Sequence, residues 1–575
     1  MSAVLETREP SAWYLEAVPP TLVQQFELLA TAAGGVTRLR ELILTLAVQG
    51  KLVPQYPDEA PASEILARAR AEATEQLGER KKSISRAAEP FGPDEELPPL
   101  PRGWKWCRGV DLFTVVRGVT YQKADASDSP RDNYLPILRA NNIQTTINFD
   151  DLVYVPGRLI NQEQLLRPGD FVVCLASGSK NLVGKAAAFT GEKLCSFGAF
   201  CGAIRLAVPL PFFSAYFASP VYRDAVSEAS SGIGINNLKS SALLGLAIAL
   251  PPEAEQARIV ARVDELMQLC DALEAKGRLE AQQHARLLET LLGTLTESTT
   301  PEELAANWQR VAEHFDLLLD RPEAVDVLEQ TVLQLAVRGL LVPQASGDQP
   351  ASSLLEKIRA NGVQKRAQGR RVEAVVPEVQ LDEVPFELPE SWAWSRFGQV
   401  AEIASDLVQP AGHGSEWQVA PDCIEKGTGR LLAKRTVADS DVKSANHRFH
   451  PGQIIYSKIR PSLSKAVIVD FAGLCSADMY PINARISTQY LLLVILSRCF
   501  LDQVAAAENR VKMPKLNQEA LAAFLVPVPP LAEQERIVAR VTELRRLCAD
   551  LRQRLAASQA TQSRLAEALV ESALA

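Results

Sequence analysis

LTLAVQGKLVPQ, residues Leu44 to Gln55, occurs again as LQLAVRGLLVPQ at Leu333 to Gln344, identical at nine of twelve positions and displaced by 289 residues. A second phrase, EQARIVARVDELMQLC (Glu255 to Cys270), returns as EQERIVARVTELRRLC (Glu533 to Cys548), identical at twelve of sixteen and displaced by 278. The long segments between these phrases keep only scattered correspondences. A frame used twice around two diverged modules predicts a mixed α/β fold. In it, two globular α/β modules are joined by long antiparallel coiled-coil-like helices, with an internal pseudo-two-fold repeat.

The second phrase opens a helix. From Ile259, apolar residues follow at Val263, Leu266, Cys270 and Leu273, steps of 4, 3, 4 and 3 that make a heptad seam. The seam weakens at Gly277, Glu280 and His284 and is expected to resume at Leu287 and Leu291. Its second copy runs Ile537, Val541, Leu544, Cys548, Leu551 and Leu555, weakens at Ser558 and Gln562, and is expected to resume at Leu565 and Leu569. The shared interruption predicts a polar layer in mid-seam. Pro251-Pro252 and Pro529-Pro530 end the preceding strand and lead into each helix. At about 1.5 Å per residue, about 40 residues give a helix roughly 60 Å long.

A partner helix is expected before each LVPQ phrase, with Phe315, Leu317, Leu318, Val325, Leu328, Val332 and Leu335 as its apolar set in one copy and Phe26, Leu28, Leu29, Leu39, Ile43 and Leu46 in the other. The first long helix has its partner directly after it. The second runs out with the chain at Ala575, so its partner is supplied from residues about 20 to 50, and the N- and C-terminal helices pack together. The predicted organisation is an N-terminal helical part (1–60), a linker with a short helix (61–100), a first module (101–252), a central helical pair (253–345), a second linker with a short helix (346–388), a second module (389–528) and a C-terminal helix (529–575).

Composition bounds the class. Hydrophobic content of 47% with 23% charge describes a globular chain and excludes the disordered and fibrous classes. The N-terminus lacks a basic stretch followed by an apolar core, and the longest strongly apolar run, Leu491 to Leu496, falls far short of the roughly 20 residues of a bilayer span. A cytoplasmic protein without membrane contact is expected. Nine cysteines without a CxxC pair argue against a disulfide framework, and Cys270 and Cys548 sit inside apolar stripes as core residues. The net charge of −8 is unevenly spread. Residues 102–250 carry 15 Lys/Arg against 11 Asp/Glu, and residues 391–528 carry 15 against 12, so the modules are mildly basic and the frame acidic. That asymmetry suits modules facing phosphates and a frame facing protein.

Both modules open on paired tryptophans, PRGWKW (Pro101 to Trp106) and PESWAW (Pro389 to Trp394), expected to place both rings on one strand face as core. Arg167-Pro168-Gly169-Asp170 before FVVC corresponds to His450-Pro451-Gly452-Gln453 before IIYS, a turn feeding a buried strand. The displacement falls from 288 at the tryptophans to 283 here and 278 at the last helix, which places loop differences on both sides of a shared landmark. SGIGIN (Ser231 to Asn236) lacks dinucleotide-loop spacing and reads as a flexible loop. His447 and His450 with Asp439 and Asp441 make too weak a ligand set for a metal, and none is expected.

The paired LAVxGxLVPQ and AEQxRIVxRV phrases, the PxxWxW openings and LPILRANNI (Leu135 to Ile143) resemble the specificity subunit of type I restriction-modification systems, over roughly residues 22–575. The resemblance implies two target-recognition domains that each read one half of a split double-stranded DNA site, with long helices setting the spacing and docking two methyltransferase subunits. A restriction and translocase subunit then joins. S-adenosylmethionine belongs to the methyltransferase, ATP and Mg to the motor-nuclease, and this chain is non-catalytic. In agreement, the sequence has neither an Asn/Asp-Pro-Pro-Tyr/Phe signature nor a GxxxxGK[ST] loop. A 60 Å helix spans more than one DNA turn of about 34–36 Å. Two alternatives stay open on sequence alone: the specificity chain of a different multisubunit DNA-modifying or defence system, and a protein scaffold that binds no DNA.

Base edges are read by Arg, Lys, Asn, Gln and small hydroxyls, and phosphates by cations and hydroxyls. In the first module these residues cluster as Arg117, Tyr121 and Lys123; Arg139, Asn141, Asn142 and Gln144; Ser177, Ser179, Lys180 and Asn181; and Asn236, Asn237 and Lys239. In the second, Ser457, Lys458, Arg460, Ser462, Ser464 and Lys465 form one cluster and Lys512, Lys515 and Asn517 another. Asp478 is the acidic candidate for a base amino group.

Overall fold

The frame is made where Gly and Pro punctuate apolar 3.6-residue periodicity. In a computed structural model describing residues 29–77, 91–229, 236–367, 377–508 and 515–574, apart from positions 31, 33, 93, 94, 96, 192 and 299, its helices are α1 Gly35–Val48, α2 Ala62–Leu77, α3 Glu253–Glu297, α4 Pro301–Glu313, α5 Pro322–Arg338, α6 Ala351–Ala367 and α7 Leu531–Leu574. Phe26 and Leu28 of the predicted N-terminal set lie outside the described residues. The chain divides into two compact units, one formed by the described residues up to Leu279 with those from Gln559 onward, the other by Glu280–Ser558.

In the first unit, α1 buries Leu39, Leu42, Ile43 and Leu46 in one core with Ile259, Val263, Leu266 and Cys270 of α3 and Ala566 of α7. Arg38 of α1 reaches the end of the chain, with Nη2 2.6 Å from Glu567 Oε1 and Nη1 donating to the Ser563 carbonyl. Arg40 bridges Asp271 and Glu274 of α3. The terminal segments therefore complete one unit together, as the displaced repeats require. In the second unit the roles are exchanged. Helix α5 buries Val325, Leu328 and Leu335 with Leu288, Leu292 and Leu295 of α3 and Cys548 of α7, while Arg552 of α7 pairs with Asp326 and Glu329.

Two expectations about the frame change. The long helices re-enter a core one residue after the expected Leu287 and Leu565, which are exposed, at Leu288 and Ala566, while Leu291 and Leu569 pack partly buried against those cores as expected. Both steps, Ile259 to Leu288 and Ile537 to Ala566, are 29 residues, about eight turns of 3.6. A 3.5-residue seam drifts off the face of an ordinary helix by ~20° per heptad, so these are α-helices meeting successive cores across an exposed polar middle, and no heptad repeat runs through them. Further, the partner of α3 does not begin at Phe315. Pro322 starts α5 at its first turn, residues 315–318 form a separate helical turn, and α4, capped by Thr300 Oγ1 accepting from Glu303 N, intervenes.

The repeated phrases meet at the junction of module and frame. Trp104 is buried and donates Nε1–H to Glu255 Oε2 at 3.0 Å, while Gln55 of the first LVPQ phrase donates to Oε1 of the same carboxylate at 3.4 Å. In the second copy Gln344 donates to Glu533 Oε1 at 2.7 Å, and the buried Trp392 N–H lies outside hydrogen-bond geometry yet still favours that carboxylate's charge. Gly50 (φ 69°) and Gly339 (φ 75°) end α1 and α5 in the left-handed region. A Cβ there would lie 2.8 Å from Trp104 Cζ2 and 3.2 Å from Trp392 Cε2, so the glycines are needed both for the turn and for the tryptophan. Trp106 and Trp394, expected in the core, are half-buried and donate to the Pro98 and Phe386 carbonyls, because Trp104 and Trp392 precede their strands and do not alternate with them.

Each module carries a four-stranded sheet in the same order. The first runs Phe113–Arg117, Cys201–Leu206, Phe171–Cys174, Ala186–Ala188; the second runs Ala401–Ile403, Met479–Ala484, Ile454–Ser457, Ala466–Ile468. Phe171 pairs with Ile204 as Ile454 pairs with Ile482. Gly169 (φ 89°) and Gly452 (φ 85°) make the turn before the completely buried third strand, as read from sequence. A second sheet is three-stranded in the first module and five-stranded in the second. The apolar run Leu491–Leu496 is core of the second module, and no single helix among the described residues is long and apolar enough to cross a membrane.

Candidate nucleic-acid interface

Four separate stretches of the first module converge on one cleft of about 630 Å³, lined among others by Tyr121, Arg139, Asn141, Ser177 and Phe200. The backbone explains the convergence. Gly118 and Val119 donate to Cys201 and Phe197, Gly198 donates to Leu138, and Asn236-Asn237 pair antiparallel with Ala176-Ser177. Around this cleft Arg117, Lys123, Lys180 and Lys239 are exposed and hold no ion pair among the described residues. Arg139 is half-buried and donates Nη2 to the Asp151 carbonyl at 2.7 Å.

The second module gathers its two clusters in the same way. Ile459 bridges Lys515, Leu516 N donates to the Lys458 carbonyl at 2.9 Å, and the Tyr480 hydroxyl donates to the Leu516 carbonyl at 3.1 Å. Lys458 Nζ lies 5.0 Å from the Tyr480 ring centroid. The backbone contacts among these recur in the first module. Leu238 N donates to the Leu175 carbonyl as Leu516 N donates to that of Lys458, and Asn237 pairs with Ala176 as Lys515 bridges Ile459. Residues chosen separately in two diverged sequences thus occupy equivalent positions of one fold: Asn237 and Lys515, Lys239 and Asn517, Ser177 and Arg460.

A family model for the type I restriction modification DNA specificity domain matches residues 389–558. Over 568 residues the chain is 30% identical to the type I restriction enzyme EcoEI specificity subunit of Escherichia coli, with 94% of each chain covered, and it is 30% identical over 578 residues, at the same coverage, to the EcoAI specificity subunit. The chain belongs to the type I restriction enzyme specificity subunits. Among solved structures it is similar to a chain of a type I R-M system at 16% identity, TM-score 0.46, covering 83% of this chain and 99% of that one.

In this specificity subunit several predicted contacts turn out to be scaffolding. Asn142 is 1% exposed; its Oδ1 accepts from Arg139 N and its Nδ2 donates to the Asn148 and Asp150 carbonyls, so it shapes the loop that presents Arg139 and Asn141. Ser464 is buried and donates to the Ile495 carbonyl, Ser457 is buried and donates to that of Ile459, and Lys465 Nζ donates to the Pro421 carbonyl at 2.6 Å. Asn517 caps a short helix by accepting from Ala520 N. Buried polar groups spend their hydrogen-bonding capacity internally, and residue type alone does not reveal which ones are buried. Lys512, the side chain of Asn236 and residues 231–235 of the expected SGIGIN loop lie outside the described residues.

Exposed among the described candidates are Arg117, Lys123, Asn141, Gln144, Ser179, Lys180, Asn181, Asn237 and Lys239 in the first module and Arg460, Ser462, Lys515 and Asn517 in the second. Arg460 holds φ 44°, an uncommon backbone state for a side-chain-bearing residue. His447 is buried, with a pKa held below its usual value by burial. Sequence reasoning missed Phe200, a 65% exposed aromatic on the cleft rim, and Arg435 of the second module, which pairs with Asp422 at 2.5 Å.

Proposed function

We propose that this specificity subunit reads a bipartite DNA site, one half by each module, as the non-catalytic member of a complex with two methyltransferase subunits and a restriction and translocase subunit. The observation that carries the reading is the equivalence of the two candidate surfaces: one fold position, held by the same backbone hydrogen bonds, carries different side chains in the two modules. Different groups on identical mounts give two different half-sites. Junctions built from the same Trp, Glu, Gln and Gly in both copies fix each module to a long helix, so the number of unspecified bases between the halves is constant. S-adenosylmethionine, ATP and Mg serve the partner subunits.

The test is methylome sequencing of a host carrying the complete system. A motif of two short halves separated by a fixed number of unspecified bases supports the reading. One continuous motif overturns it.

A further inference from the structure

One turn precedes the second strand in the order of each four-stranded sheet, Cys201–Leu206 or Met479–Ala484, and its last residue is Phe200 in the first module and Asp478 in the second. The two positions are equivalent by their bonds. The Phe200 carbonyl accepts from Leu175 and Ala176 N at 2.8 and 3.0 Å, and the Asp478 carbonyl accepts from Lys458 N at 3.0 Å. The residue after each, Cys201 or Met479, is completely buried. A rigid backbone thus carries a side chain that the core does not use: the Phe200 ring is 65% exposed, and Asp478 stands half-buried beside Lys515 Nζ at 3.2 Å. The exposed phenyl ring stands on the rim of the cleft that gathers Tyr121, Arg139, Asn141 and Ser177.

From this geometry we infer that the turn position is a specificity-determining residue in both modules: Phe200 makes apolar contact with a thymine 5-methyl group, and Asp478 accepts a hydrogen bond from the exocyclic amino group of a cytosine. The inference rests on the bipartite reading above. An aromatic ring offers no donor or acceptor to a base edge, and the methyl of thymine is the apolar feature of the major groove. A carboxylate only accepts, and cytosine presents a lone amino donor there. Lys515, with Nζ 3.2 Å from the carboxylate, offsets the repulsion of Asp478 from the neighbouring phosphates.

The experiment uses the complete methyltransferase complex with duplexes carrying the motif that the wild-type methylome defines. Replacing each thymine of one half in turn by deoxyuridine should weaken wild-type binding several-fold at one position and leave the Phe200→Ala complex indifferent there. Phe200→Leu, which keeps an apolar contact, should retain part of the discrimination. Asp478→Asn should lower discrimination for cytosine at one position of the other half by on the order of tenfold and leave the first half unchanged. A deoxyuridine series that affects wild type and Phe200→Ala alike, or an Asp478→Asn methylome identical to wild type, overturns the inference while the bipartite reading stands. A wild-type complex without a bipartite motif brings down both.

Discussion

In the first module Asp170 is buried and holds Arg205 through two hydrogen bonds, at 2.7 and 3.0 Å; at the same corner of the second module Gln453 donates to Asn483 at 2.9 Å. Both Asp170 and Gln453 also accept from the backbone N–H of the residue that opens the turn, Arg167 or His450. The obligatory bond of the turn is therefore kept, while the second partner has changed from a cation to an amide. The same holds outward from this corner: around the first module's cleft Arg139 is tied to a carbonyl while Arg117, Lys123, Lys180 and Lys239 hold no ion pair among the described residues, whereas the second module ties Lys465 to a carbonyl, Lys515 to Asp478 and Arg435 to Asp422. The difference teaches that the fold specifies where hydrogen bonds must be satisfied and leaves their chemistry open, which is the freedom a pair of independent readers needs.

That comparison breaks most sharply at the ion pair. Asp170→Asn leaves the half-buried Arg205 without its counter-charge, held only by the Glu163 and Leu165 carbonyls, and should destabilise the first module by about 3 kcal/mol, measured by hydrogen exchange of its strands, with the second module unaffected. The double variant D170Q/R205N, which copies the neutral pair, should recover all but about 1 kcal/mol. Failure to recover would show that the two corners are not interchangeable.

The frame should answer identically in both copies. Gly50→Ala and Gly339→Ala each force a Cβ into the left-handed region and against a tryptophan, and each should cost about 1–3 kcal/mol, seen as equal losses of protection in the two units. Unequal losses would separate junctions that share their glycine, tryptophan and glutamate.

The binding surfaces should answer differently. Lys180→Ala removes an unpaired cation and should lower the slope of log affinity against log salt by about 1; Lys465→Ala, whose ammonium is already spent on the Pro421 carbonyl, should leave the slope nearly unchanged. A smaller effect is expected from pH. Burial holds the Glu255 and Glu533 carboxyls above their usual range, against the opposing hydrogen bonds from Gln55, Trp104 and Gln344. A raised folded-state pKa means that protonation favours the folded form. The cost of these carboxylates is thus fully present above the folded pKa and disappears as pH falls through it to the ordinary carboxylate value. Glu255→Gln and Glu533→Gln should flatten that segment of the Tm against pH curve, and a curve of unchanged shape would contradict the burial effect.

Much of this was legible in the repeats. Their unequal positions placed the chain end beside α1, and the Pro-Gly turns located the inner strand, because left-handed turns and apolar runs leave strong local signals. Apolar spacing alone put the long-helix seam one residue out of register, since a heptad extrapolation ignores that an unsupercoiled helix keeps 3.6 residues per turn. The candidate surface was legible as clusters and not as residues: Asn141 and Asn142 are neighbours of one type, and only the loop's internal hydrogen bonds distinguish the presented side chain from the buried one. Phe200 escaped because a phenylalanine beside a buried strand reads as core until its exposure is seen.

The central claim, one frame carrying two independent readers, is tested most directly by exchanging residues 102–250 for the corresponding module of a related specificity subunit and sequencing the methylome of cells carrying the rebuilt complex. The account predicts a motif with one half replaced, the other half retained and the spacer unchanged. A change in both halves, or in the spacer, would contradict it.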